Sequence, residues 1–168
     1  MRKTAGMAIS YSLDLVTPVP AIEVAQKRDE VAQSLRLIDA SVTAEALLNG
    51  TLAVYGTWIR VVTTKPVPWG DPLIGGRVFT PTVSVVFRLD KAGDISGQQD
   101  DMVRLASGLL SQVPGDAVLH FDYEDVWLVR QDGQLSLKER SDLWPALRLS
   151  GVSLPYGRQT HEFVFPED

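Results

Sequence analysis

Cysteine is absent from all 168 residues. That excludes disulfide staples, thiolate metal sites and cysteine nucleophiles together, and it suits a reducing compartment, so the cytoplasm is the expected location. Histidine is nearly as scarce, with His120 and His161 alone, too few for a dense ligand cluster. No apolar run approaches the length of a membrane span. Arg2 and Lys3 begin like a secretory leader, but Ser10, Ser12 and Asp14 interrupt the segment that follows. Excess positive charge is also missing. A net charge of −5 argues against a general nucleic-acid binder and suits a basic protein partner better. Fixed-period repeats and low-complexity tracts are lacking, which sets solenoid and linker readings aside.

What is present is ordinary globular usage. Hydrophobic residues at 45% and charged residues at 22% are enough to bury a core unaided, so residues 1–168 are expected to form a single domain. Strict alternation through Met7, Ile9, Tyr11, Leu13 and Leu15 predicts a half-buried strand. Pro18 and Pro20 end it, and Val24, Val31, Leu35 and Ile38 recur at helical spacing from about Pro20 onward. Thr43 is suited to cap a short helix that Asn49-Gly50 would end.

Leu52 to Thr64 reads as one strand kinked at Gly56, and Lys65 to Arg77, rich in proline and glycine, as an irregular loop. Alternation returns at Val83, Val85, Phe87 and Leu89, followed by a helical stripe from Met102 to Val113 with Asp100 and Asp101 suited to its opening turn. Ala117, Leu119 and Phe121 mark another strand. Val126–Arg130 and Gln134–Lys138 flank Asp132-Gly133, a strong hairpin signal. A short helix is expected near Leu143-Trp144-Pro145, while the segment from Gly151 onward carries no clear pattern. The predicted class is α+β: an antiparallel sheet with two main helices on one face, a ferredoxin-like βαββαβ core extended by a C-terminal β-hairpin.

The runs MAISYSLDL from Met7, GTWIRVV from Gly56, FTPTVSVVFRLDK from Phe79, QQDDMVRL from Gln98, PGDAVLHF from Pro114 and SDLWP from Ser141 together resemble the Sit-type immunity proteins. That family is named for the immunity partners of swarming-inhibition toxins in myxobacteria and is widespread in actinobacteria. The resemblance implies an antidote that binds and neutralises a cognate protein toxin by occlusion, with no enzymatic role and no cofactor. It covers residues 7–165 and leaves 1–6 as an expected disordered extension. It transfers no site residue by position.

Site candidates therefore rest on local chemistry. His120 and Asp122 fall on one face of a predicted strand, a base or metal-ligand geometry, although a solvent-facing pair is the simpler expectation. His161-Glu162 lacks the second histidine of a zinc helix, and Gly70, Gly75 and Gly76 lack the lysine and hydroxyl of a phosphate loop. Trp58, Trp127 and Trp144 are expected in the core. Trp69, in its loop, is the expected interface anchor with Asp71 and Arg77. Asp100, Asp101, Glu124 and Asp125 are the candidate acidic contacts to a basic toxin. A monomer or homodimer is expected, with neither nucleic acid nor membrane as partner. The competing class, a small-molecule-binding or enzymatic α+β domain, would show a deep pocket containing His120 or Arg88.

Overall fold

The computed structural model describes residues 9–35, 51–52, 56–64 and 70–165. The proposed Thr43 helix, Ile38, Trp69 and the 1–6 extension lie outside these residues.

β1 (Ile9–Val16) leads through Pro20 into α1 (Ala21–Ser34), as the alternation and the prolines predict. The expected kinked strand is instead a hairpin. β2 (Thr51–Leu52) pairs antiparallel with β3 (Trp58–Thr63), so the chain reverses across the Gly56 region rather than bending within one strand. The expected irregular loop also carries structure: β4 (Leu73–Ile74) and β5 (Arg77–Val78) form a two-stranded ribbon turned by Gly75-Gly76. A two-residue turn between strands this short leaves too little alternation to read.

β6 (Val83–Leu89), α2 (Ile95–Leu110) and β7 (Asp116–Phe121) follow. Asp94 caps α2, its Oδ1 accepting from the Gly97 N–H at 3.0 Å. Asp100 and Asp101 therefore sit in the second turn, not the first as the sequence suggested. β8 (Asp125–Gln131) and β9 (Gln134–Leu137) make the predicted hairpin, with Asp132 and Gly133 both at positive φ, 53° and 78°. That is the geometry a two-residue turn needs to follow the strand twist. A 3₁₀ turn at Ser141–Leu143, a short α3 (Ala146–Leu149) and β10 (Tyr156–Arg158), parallel to β9, complete the described elements.

The main sheet runs β10-β9-β8-β7-β1-β6-β3-β2 and is antiparallel except at β10. Its centre, β7-β1-β6-β3, interleaves two βαβ units, which puts α1 and α2 against the same face. Leu13, Leu15, Val85, Phe87, Leu119 and Trp127 on that face join Val24, Val31, Met102, Leu105 and Leu109 from the helices in one buried core. Arg130 closes its edge, donating from Nε to the Gly115 carbonyl at 2.8 Å and from its other nitrogens to the Leu110 and Val113 carbonyls. The Leu110 carbonyl is one that the end of α2 leaves without a helical partner, and Val113 and Gly115 lie in the connection to β7.

A second, smaller apolar layer lies on the opposite face. Val118, Val126 and Val129 pack beneath Ile74 and Phe79, with Val16 and Phe163 beside them. The ribbon and the chain around Phe163 therefore roof β7 and β8, which is why Val118, an outward position of a nominally half-buried strand, is fully buried.

Candidate functional site

Three strands bring polar groups together under that roof. Asp14 on β1 accepts from Ser84 Oγ on β6 at 2.7 Å, and its other oxygen lies 2.8 Å from His120 Nε2 on β7. The Tyr123 backbone N–H donates to His120 Nδ1 at 3.0 Å. With Nδ1 accepting, Nε2–H is the donor to Asp14, so one neutral tautomer satisfies every contact. All three side chains are buried: Asp14 is 3%, Ser84 6% and His120 2% exposed. The expected solvent-facing pair of His120 and Asp122 is thus corrected. His120 turns inward to Asp14, and Asp122 sits in an exposed turn.

That turn is strained. Asp122 and Tyr123 adopt φ of 52° and 61°, a region tolerated by aspartate but costing roughly 1 kcal/mol or more for tyrosine. The conformation lays the Tyr123 ring over His120, with centroids 4.4 Å apart, and Phe163 meets His120 edge-on at 5.1 Å. Phe79 and Phe165 extend the aromatic cover. Burial raises the Tyr123 phenol, and the charges of Asp14, Asp122 and Asp71 push it the same way. Chemically the centre is closed. Ser84 donates to the carboxylate rather than to the histidine, so the hydroxyl-to-imidazole contact that activates a serine is lacking.

The predicted contact residues separate into distinct places. Asp71 leads into β4 and accepts from Thr80 Oγ1 at 3.1 Å. Arg77 on β5 reaches across to Asp132 in a bidentate pair, at 3.2 and 2.7 Å, rather than toward Asp71. Glu124 is exposed in the β7–β8 turn, while Asp125 is held by Lys138. Asp100 and Asp101 are on α2, across the sheet from the others. Asp100 accepts from Arg148 Nε at 2.7 Å, and Arg148 in turn lies over the Trp127 ring. Asp101 is 8% exposed and pairs with Arg104, leaving Oδ2 buried without a partner. Burial raises its carboxyl, Arg104 opposes this, and Asp100 and Asp94 reinforce it.

Asp71 therefore acts on the Asp122–Glu124 turn only through its charge, felt at the Tyr123 phenol, and Asp100 and Asp101 lie elsewhere on α2. Trp127 and Trp144 are core residues, as expected, and Trp58 is half-buried. Clefts of about 420, 570 and 680 Å³ border α2 and its neighbours, and neither His120 nor Arg88 lines any of the three. Among the described residues, no group of three or more His, Cys, Asp or Glu side chains could hold a metal, and no helix is long and apolar enough to cross a membrane.

Sequence reasoning missed Asp14, Ser84, Tyr123 and Phe163. Asp14 and Ser84 stand between the apolar residues of alternating strands, where solvent exposure is the default expectation. The short apolar run Phe163-Val164-Phe165 is the available signal for the last segment.

Fold and site together define an α+β domain built on a mostly antiparallel sheet, with a sealed polar centre beneath a small apolar roof. The chain belongs to the SitI3-like family, whose model matches residues 9–148. No curated protein and no solved structure matches it.

Proposed function

We propose that this protein is an immunity protein that binds a cognate protein toxin and neutralises it by occlusion, working in the cytoplasm without a cofactor. Membership of the SitI3-like family over residues 9–148 carries this reading. The site geometry supports it: Asp14, Ser84 and His120 satisfy one another out of solvent, an arrangement that stiffens a scaffold rather than turning over a substrate. Occlusion asks only for a rigid face that covers the toxin's working site, and a net charge of −5 favours encounter with a basic toxin. Asp71 and Glu124 are the acidic contacts we retain for that encounter, with Trp69, two residues before Asp71 in the sequence, as the anchor.

The test is co-expression with the product of the adjacent upstream gene, scoring growth rescue and co-purification. Rescue with a stable complex is the expected result. A neighbour that is harmless alone and does not bind would sink the immunity reading.

A further inference from the structure

We propose that the toxin docks on the outward face of the β4–β5 ribbon and the segment bridged to it at Val164, an aliphatic row between carboxylates. The surface fits a partner strip of aliphatic side chains bordered by lysine and arginine. The proposal rests on the immunity reading and gives it a location.

The pairing places the residues. Leu73 lies opposite Val78 in the ribbon and opposite Val164 on its other side, the latter held by reciprocal backbone hydrogen bonds of 2.7 and 2.9 Å. Directly paired residues on adjacent strands share a face. Their neighbours Ile74 and Phe79 point inward, at 1% and 3% exposure, so Leu73, Val78 and Val164 point outward, at 37%, 65% and 59%. Of the exposed large hydrophobics among the described residues, Leu73, Val78, Leu147, Tyr156 and Val164, three stand in this single row. Scattered exposed aliphatics are normal on any surface, whereas a contiguous row marks an interaction site.

Charge flanks the row. Asp71, two residues before Leu73, shares its side and is positioned by Thr80, which is two residues after Val78. Glu162, two residues before Val164, is exposed beyond the other margin. Arg77 is occupied by Asp132 at the turn between β8 and β9. An apolar strip edged by carboxylates complements a basic, aliphatic surface and repels an acidic one.

The row is also held in advance. Ile74 and Phe79 pack on Val118, Val126 and Val129, Gln131 Nε2 donates to the Ile74 carbonyl at 2.8 Å, and the Arg77–Asp132 pair clamps the ribbon's tip. Little ordering is left to oppose binding.

The test compares the wild type with a Val78→Asp/Val164→Asp double variant, with Glu162→Lys and with Leu147→Asp, a control at another exposed aliphatic position (73%). Each is titrated against the product of the adjacent upstream gene and scored for growth rescue, with thermal melts to establish that the variants fold. The double variant is expected to bind roughly 30-fold more weakly or worse, as loss of an interface centre does. Glu162→Lys is expected to weaken binding about threefold, with a shallower salt dependence, and it reports on the surface even if the double variant does not fold. Leu147→Asp should match the wild type.

Full binding by a folded double variant, or by Glu162→Lys at every salt concentration, would overturn the proposal. So would loss of binding in Leu147→Asp. Conversion of a dimer to a monomer by the double variant, seen by sedimentation with rescue intact, would make the row a contact between copies and also overturn it. A wild type that neither binds nor rescues removes the immunity reading itself.

Discussion

His120 and Asp14 show how much one buried pair can determine. Removing the imidazole leaves a carboxylate at 3% exposure with Ser84 as its remaining side-chain partner, and empties the space beneath Tyr123 and Phe163. His120→Ala is therefore expected to cost about 3 to 5 kcal/mol in urea unfolding. A double-mutant cycle with Asp14→Ala should show strong coupling; additive losses would mean that the pair acts only through packing.

Asp101 gives a prediction of opposite sign. Burial holds its carboxyl above the ordinary range, so the folded chain keeps that proton to higher pH than the unfolded chain does. Its contribution to stability therefore falls as pH rises from about 4, the usual aspartate value, through the folded titration. Asp101→Asn removes this fall. The stability of the variant relative to wild type should climb between acid and neutral pH in unfolding curves, and a pH-independent difference would count against the assignment. None of this was legible in the sequence, because Asp14 and Asp101 look like the wet positions of amphipathic elements. Only the second layer, and the packing around α2, bury them.

At the scale of elements, the long patterns were readable and the short ones were not. The alternation in β1, β6 and β7 and the stripe in α2 each extend over several residues of one period, and Asp132-Gly133 is a turn signal in its own right. The ribbon and β2 have strands of two residues each, below the length at which a period exists. Their pairing depends on partners distant in the chain, such as Val164 for Leu73.

Two glycines separate local from tertiary constraint. Gly133 has φ of 78° with open space around a would-be Cβ, whereas at Gly115, with φ of 111°, that Cβ would lie 1.8 Å from the Val16 carbonyl oxygen. Gly133→Ala is expected to cost about 1 kcal/mol, from backbone strain alone. Gly115→Ala must also move β1 or the α2–β7 corner and is expected to cost roughly 3 kcal/mol or more. Equal losses in chemical denaturation would mean that the close approach at Gly115 relaxes freely.

The whole molecule has two unlike sides. The helical side holds the main core, and the other side holds the sealed polar centre, its roof and the apolar row. Truncation after Arg158 would remove Phe163, Val164 and Phe165 and leave β4 without its outer partner. The expected result is a folded main core with faster amide exchange in β4 and β5. Unchanged exchange there would show that the ribbon is held by Ile74 and Phe79 alone.

The tail's position also sets an order of events during synthesis. β1 is made first among the described strands but sits between β6 and β7, so it waits for residues 83–89 and 116–121 before either edge is paired. The row that Leu73 and Val78 begin is finished by Val164. At translation rates of roughly 5 to 20 residues per second, a chain still emerging from the ribosome presents neither a closed sheet nor a complete row for many seconds. On the immunity reading proposed above, a nascent copy offers a toxin no complete docking row until Val164 has emerged and paired with Leu73.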